Sequence, residues 1–182
     1  MERVIRRISA ISEFTGKAAS WIILPLAFSI GYEVFSRYFF SAPTTWAFDT
    51  TLMMYGAYFM LCSAYTLAKN GHVRGDIFYR NWPHRTQAIV DLTLYIIVFF
   101  PAMLALIWLG LDFFWESFVI RETSAFSPYR RPIYPLKAAI PVAAFLLLLQ
   151  GVAEVLRCII ALRTGRWPER DAHRLDEPEV VA

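Results

Sequence analysis

The sequence of residues 46–68 is WAFDTTLMMYGAYFMLCSAYTLA. Asp49 is its single charged residue, and it falls in what would be the first helical turn. At about 1.5 Å per residue, a helix of this length measures about 35 Å, and the hydrocarbon core of a bilayer is about 30 Å thick. Charged residues flank the stretch, with Arg37 before it and Lys69 after it. This pattern predicts a membrane-spanning helix.

The rest of the chain repeats this plan. Of its 182 residues 57% are hydrophobic and only 18% are charged, which is unusual for a soluble domain. We therefore expect an all-α integral membrane protein with four transmembrane helices. The predicted spans are 18–36, 46–68, 88–111 and 138–161, which together form one transmembrane domain over 18–162.

The two chain ends have a different composition. In segment 1–17, Val4, Ile8 and Ile11 recur at helical spacing among basic residues. This pattern predicts an amphipathic helix that lies in the membrane surface. A frayed extension of the first span is the alternative. Residues 163–182 are charged and lack an apolar run, which predicts a mostly disordered tail.

The distribution of basic residues predicts the orientation. Four spans place both termini on one side, and that side has 13 of the Lys and Arg residues against 5 on the other. Because positive charge is enriched in cytoplasmic loops, we expect both termini in the cytoplasm. The basic residues lie between apolar spans, as they do beside anionic lipid, and nothing indicates nucleic-acid binding.

The sequence contains no recognisable catalytic or cofactor motif. His72, His84 and His173 lie outside the predicted spans, where they could not hold a haem between helices. Cys62 and Cys158 form no CxxC pair and are predicted to be buried free thiols. There is no HExxH motif and no phosphate-binding loop. We therefore predict no enzyme activity, no cofactor and no metal site.

Acidic residues near the predicted span ends are the remaining polar candidates. Glu33 and Arg37 are spaced i, i+4 with the acid first, which favours an ion pair, and Asp49 is placed to join them. We interpret the three as a clasp that ties the first two spans together or docks a partner; three independently solvated charges are the alternative. Asp91 and Glu154, like Asp112, are expected to reach the interface or a helix end.

Two short motifs frame the second span. They are Pro43–x–x–Trp46–x–x–Asp49, preceded by Arg37, and His72–Val73–x–x–Asp76. Together with the four-span plan they resemble the small, DctQ-like membrane subunit of tripartite ATP-independent periplasmic (TRAP) transporters. A proline-rich segment before the last span, 129–137, is similar to one in many members. Two residues depart from the family pattern: Asp49 stands where Glu is usual, and Gly75 replaces an apolar residue.

The resemblance implies a function that the residues alone do not. In that family a periplasmic binding protein captures a solute, commonly an organic acid, and a large membrane subunit moves it with sodium. The small subunit would be a non-catalytic scaffold in the bacterial inner membrane, packed beside the large subunit and surrounded by lipid. The alternatives are a four-helix membrane redox enzyme that uses the two cysteines and a stand-alone small transporter.

The resemblance also implies roles for two groups of residues. His72, Val73 and Asp76 would brace the loop after the second span or contact the large subunit; an ordinary solvated turn is the alternative. Arg121, Arg130 and Arg131 would contact either an acidic patch on the binding protein or lipid phosphate, with equal support for both.

Overall fold

A computed structural model describes residues 1–72, 79, 81–125 and 130–168. These residues form helices that are joined by turns and connectors. The helices are α1 (Glu2–Ser20), α2 (Ile23–Phe39), α3 (Thr45–Ala68), α4 (His84–Leu94), a π-helical turn (Tyr95–Phe99), α5 (Phe100–Val119) and α6 (Tyr134–Thr164). Because α4, the π-helical turn and α5 are continuous, they form one helix, His84–Val119, which we call the long helix.

Trp21 and Ile22 join α1 to α2 with helical backbone angles but with a tighter hydrogen-bond pattern. The amides of both residues donate to carbonyls three residues back, instead of four. Pro25 explains the break, because it has no N–H group to donate to the carbonyl of Trp21. Pro25 therefore lies in the first turn of α2.

The long helix widens into its π-helical turn next to Pro101. The amide of Phe100 donates to the carbonyl of Tyr95, five residues back. Pro101 supplies no N–H group, and its ring would crowd an α-helical carbonyl, so the wider turn accommodates it. The turn also carries Phe99 onto α6, where a Cβ atom added to Gly151 would lie 2.3 Å from the Phe99 ring.

α6 is the central helix of the bundle. It packs against α1, α3, α4 and α5, whereas α2 packs against α3. Its buried residues are mostly small: Ala139, Pro141, Ala143, Ala144, Gly151, Ala153, Cys158 and Ala161. Small side chains let helix backbones approach closely in a membrane, so this face of α6 brings its neighbours together. α6 ends at Gly165, whose φ of 74° is the left-handed conformation that glycine adopts readily.

Three described segments are long and apolar enough to cross a membrane: Glu2–Phe39, the long helix and α6. α3 has 24 residues, which is enough for a span, and only one of them is charged. It differs from the three segments above because its mean hydropathy is lower. Its tyrosines, threonines and serine account for that difference. The four expected spans are thus represented by three segments that meet both criteria and by α3, which meets the length.

Several helices are longer than the predicted spans. The long helix exceeds 88–111 at both ends, and α6 exceeds 138–161. Pro135 does not delay the start of α6, because a proline is tolerated in the first turn of a helix. The connector between them is therefore 120–133, which is shorter than the interval 112–137 between the two predicted spans.

α1 packs on the bundle mostly through small and polar residues, and not through Val4 and Ile11 of its predicted apolar face. Ser12 and Gly16 are buried, whereas Val4 and Ile11 are each 49% exposed. Val4 and Ile11 therefore point away from the bundle, whereas Ile5, at 4% exposed, is buried. The close fit comes from Gly16, where an added Cβ atom would lie 2.3 Å from Tyr65 of α3.

Candidate functional site

The polar side chains of the bundle gather at its two ends. We call the end with residues 40–44, 120–125 and 130–133 the connector end, and the opposite end, with residues 69–72, 79 and 81–83, the loop end. Both ends contain residues predicted to matter.

Glu33 ties α2 to the start of α3 at the connector end. Its carboxylate accepts a hydrogen bond from Arg37 Nε at 3.0 Å and another from the backbone amide of Thr44 at 2.9 Å. The Thr44 hydroxyl donates to the same carboxylate. Thr44 directly precedes α3, so Glu33 holds the N-terminus of that helix against α2. The Glu33 side chain is 15% exposed and that of Arg37 is 55% exposed.

Asp49 lies apart from this pair. No hydrogen bond or ion pair joins it to Arg37 within the described ranges. Asp49 is 2% exposed, and its Oδ2 atom has no hydrogen-bond partner there. It lines a cavity together with Glu122 and Lys137, because it lies on the face of α3 that is turned toward α5 and α6. The structure thus brings two of the three predicted clasp residues together and places the third in a different cluster.

Pro43 and Trp46 shape the turn between α2 and α3. Pro43 is exposed, and just before it Ser41 adopts a φ of 51°. The Ser36 hydroxyl donates to the Ala42 carbonyl at 2.6 Å, which closes the turn. The Trp46 ring packs against Tyr32 of α2, with ring centroids 5.6 Å apart. Pro43 and Trp46, both part of the sequence motif, therefore lie at the junction between α2 and α3.

The described parts of the connector, 120–125 and 130–133, are folded onto the helices that they adjoin. The Ser124 amide donates to the Arg131 carbonyl at 2.7 Å, and the Ile133 amide donates to the Glu122 carbonyl at 3.1 Å. The Glu122 side chain forms an ion pair with Lys137 of α6. A hydrogen bond from Lys137 lowers the pKa of Glu122 below its ordinary value. Glu122 therefore fastens the connector to the N-terminus of α6.

The three predicted connector arginines are exposed. Arg121 and Arg130 adopt positive φ values of 50° and 44°, and Arg131 contributes its backbone carbonyl to the fold of the connector. Their side chains point to the surface, where a partner or a lipid phosphate can reach them.

The loop end carries His72, whereas Val73 and Asp76 lie outside the described residues. His72 is exposed and lines a cavity of about 610 Å³ with Tyr79 and Asp91. The Tyr79 hydroxyl donates to Asp91 Oδ2 at 2.7 Å. Asp91 is therefore hydrogen-bonded across the loop, which is more than the helix-end position expected for it.

Gln87 joins α4 to two further segments at the loop end, the loop with Tyr79 and Trp82 and the segment after α6. Its side-chain amide donates to the carbonyls of Tyr79 at 3.0 Å and Trp82 at 3.1 Å. Its oxygen accepts a hydrogen bond from Trp167 Nε1 at 3.0 Å. The segment after α6 is thereby attached to α4.

A buried polar cluster joins α1 to α6 and was missed from the sequence. Ser12 donates to Gln150 Oε1 at 2.9 Å, and Gln150 Nε2 donates to Glu154 Oε1 at 3.2 Å. Arg157 Nε lies 3.6 Å from the same Glu154 oxygen. Gln150 is fully buried, and Glu154 and Arg157 are 2% and 6% exposed.

The expectation that Glu154 reaches the interface was therefore wrong, since Glu154 is held inside by Gln150 and Arg157. A signal was present in the sequence: residues 150, 154 and 157 follow one helix face at i, i+4 and i+7. Ionisable residues within an apolar span are costly and usually pair. Asp112, by contrast, is exposed on α5, in keeping with an interfacial position.

These clusters join helices to one another and to their connectors, and Cys62 and Cys158 are free thiols. With several helices long and apolar enough for a bilayer, the fold and the clusters define a helical membrane protein. Over residues 26–161, the chain matches the family described as tripartite ATP-independent periplasmic transporters, DctQ component. The chain belongs to this family, which confirms the resemblance seen in the sequence. The family is a transporter component and not an enzyme family. No curated protein matches the chain.

Proposed function

We propose that this chain is the scaffold subunit of a TRAP transporter and has no catalytic or transport site of its own. A large membrane subunit would pack beside it and carry the solute together with sodium, after delivery by a periplasmic binding protein. An organic acid is the solute class that the family favours. Family membership and the polar ties between its helices support this assignment.

The observation that carries the proposal is the uncovered surface of the long helix. Only 6% of the residues in its most apolar 18-residue stretch are buried within the chain, compared with 44% for the corresponding stretch of α6. Large side chains stand outward along it: Leu104 is 58%, Trp108 is 78% and Leu109 is 67% exposed. Aromatic and large apolar side chains are frequent binding anchors in interfaces. We assign this face of the long helix to the large subunit.

Four spans in the inner membrane are part of the proposal, with α1–α2, α3, the long helix and α6 as its transmembrane elements. The excess of basic residues in the segments on the side of the termini supports cytoplasmic termini. In that orientation the connector end faces the periplasm, where exposed Arg121, Arg130 and Arg131 are available to a binding protein or to lipid.

The interface is tested by co-purification of the large subunit with this chain. Trp108→Ala is expected to lower the recovery of the large subunit about tenfold or more, because truncation of a central interface tryptophan commonly costs that much affinity. Trp21→Ala is the matched control, since Trp21 is 70% exposed but lies at the α1–α2 turn. Equal recovery with both variants would contradict the assigned face.

Solute uptake by the assembled transporter tests the role itself. Cells that lack this chain are expected to lose uptake although the large subunit and the binding protein are present. Uptake by this chain alone, reconstituted in vesicles, would favour the stand-alone transporter. Loss of uptake after replacement of both Cys62 and Cys158 would favour the redox protein.

A further inference from the structure

A cavity lies at the connector end between α3, α5 and α6, and none of the proposals above uses it. Its volume is about 550 Å³. Most of its lining side chains are apolar, among them Met53 and Ile140. Three others that line it, Leu52, Tyr55 and Phe113, are 48%, 56% and 47% exposed. The cavity therefore opens sideways, on a helical surface that a bilayer or a neighbouring protein would cover.

A buried carboxylate points to the chemistry of the occupant. Asp49 lines the cavity, is 2% exposed, and has an Oδ2 atom without a hydrogen-bond partner among the residues described. A buried carboxylate without a partner is strongly unfavourable, and a cation that donates hydrogen bonds to it removes that cost. The unpartnered Oδ2 atom of Asp49 is therefore an acceptor that a hydrogen-bonding cation would satisfy.

The other charged side chains of the cavity do not supply this cation. Lys137 is paired with Glu122, and its ammonium lies 3.8 Å from the centroid of the Phe113 ring. The three charged residues of the lining, Asp49, Glu122 and Lys137, together carry one net negative charge. The cavity thus lacks one positive charge, next to Asp49.

We propose that this cavity binds a phospholipid with a primary ammonium head group, such as an ethanolamine phospholipid. The ammonium would lie on Asp49, and the upper part of an acyl chain would lie along Leu52 and Met53. The phosphate would remain at the mouth, on the side of Thr123 and the exposed Arg131. The inference requires only that the chain lies in a membrane, and it holds whether or not the scaffold role is correct.

The size and walls of the cavity favour a lipid over a single basic side chain from a partner protein. Its volume falls within the range of about 300–1,000 Å³ that encloses whole small-molecule ligands. One lysine or arginine side chain would leave much of that space empty beside apolar walls. A phospholipid brings both the cation and the apolar chain, and the surrounding bilayer supplies it.

The test compares head groups on the full chain in lipid nanodiscs. Native mass spectrometry would count retained lipid after exchange into ethanolamine, choline or glycerol phospholipid. We expect one ethanolamine lipid retained per chain, weaker retention of the choline lipid, whose quaternary ammonium has no N–H donor, and the weakest retention of the glycerol lipid. Equal retention of all three would overturn the proposal, and this comparison needs no variant that must fold.

Two variants and a control locate the site. Asp49→Asn should lower retention of the ethanolamine lipid about tenfold, the usual scale for losing a charged hydrogen bond. Met53→Trp should lower it by filling the cavity while Asp49 is kept. Asp112→Asn is the control, since Asp112 is an exposed carboxylate on α5. Unchanged retention by Asp49→Asn would show that Asp49 does not hold a charged head group, and would overturn the proposal.

The same count on the complex with the large subunit separates lipid from protein as the occupant. One ethanolamine lipid retained per copy of this chain in the complex, and lost in Asp49→Asn, supports the lipid. Retention by the chain alone but none in the complex would assign the cavity to a basic side chain of the partner, and the lipid proposal would fail.

Discussion

α6 and the long helix are similar in length and apolar character but opposite in burial. α6 has 31 residues, and 44% of the residues in its most apolar 18-residue stretch are buried. The long helix has 36 residues, and 6% of the residues in the corresponding stretch are buried. α6 presents alanines and glycine to its neighbours, whereas the long helix presents Trp108 and Leu109 outward. In lipid the size of a side chain, more than its hydropathy, decides which helix becomes the centre.

The two helices therefore have different structural roles. Buried polar and small residues on α6 hold the subunit together, and large residues on the long helix remain for lipid or a partner. Substitutions on α6 should therefore lower the stability of the isolated chain. Substitutions on the outer face of the long helix should weaken only its association with a partner.

The largest expected effect is the loss of the buried ion pair on α6. Arg157→Met should destabilise the chain by about 3 kcal/mol, because removal of one partner leaves the charge of Glu154 buried. Thermal unfolding in detergent micelles measures this. Arg163→Met is the control, since Arg163 is exposed on the same helix and should change the free energy of unfolding by less than about 0.5 kcal/mol.

A double substitution, Glu154→Gln with Arg157→Met, sharpens that result. Part of the stability should return, because no charge remains unpaired in the interior. If Arg157→Met were as mild as Arg163→Met, the cluster that joins α1 to α6 would contribute nothing to stability.

The next effect concerns close packing at the π-helical turn. Gly151→Ala should destabilise the chain by about 1–3 kcal/mol, because its Cβ atom would meet the Phe99 ring of the long helix at 2.3 Å. Gly31→Ala in α2 is matched, since nothing lies within 4 Å of its added Cβ atom. There the gain in helix propensity should stabilise the chain by about 0.5–1 kcal/mol. Equal signs for the two variants would contradict a tight α6 contact.

A smaller effect is expected at the α2–α3 junction, away from α6. Glu33→Gln weakens the contacts to Arg37 and Thr44, and should lower Tm by about 2–4 °C. Arg37→Ala should lower Tm less, because its guanidinium is more than half exposed. A larger effect of Arg37→Ala than of Glu33→Gln would indicate that Arg37, and not Thr44, holds the junction.

The smallest effect is a pH dependence at the connector. Because Lys137 lowers the pKa of Glu122 in the folded chain, the pair stabilises the fold fully above the ordinary value of 4.5. The stabilisation is lost as the pH falls from there through the lowered folded-state pKa. Glu122→Gln should therefore lower stability slightly at pH 7 and flatten its pH dependence below about 4.5. Parallel profiles of the variant and the wild type would argue against the pair.

Much of the fold follows from apolar run length, because a stretch such as 46–68 has few other ways to satisfy its backbone. The apolar pattern could not show that α6 is the central helix, because that depends on which helices pack against one another. The Glu33–Arg37 pair could be predicted from the sequence because i, i+4 spacing is local. The position of Asp49 could not be predicted, because it depends on how α3 is rotated against α5 and α6. That rotation is set by contacts between residues distant in sequence.

A photo-crosslinking residue placed at Trp108 in the native membrane tests the central assignment most directly. With the large subunit present, we predict a cross-linked product that contains both chains, and only lipid adducts when the large subunit is absent. The same residue at Phe28, which is 72% exposed on α2, provides the comparison. Lipid adducts at Trp108 in both conditions, together with a two-chain product from Phe28, would show that the large subunit packs on α2 and not on the long helix.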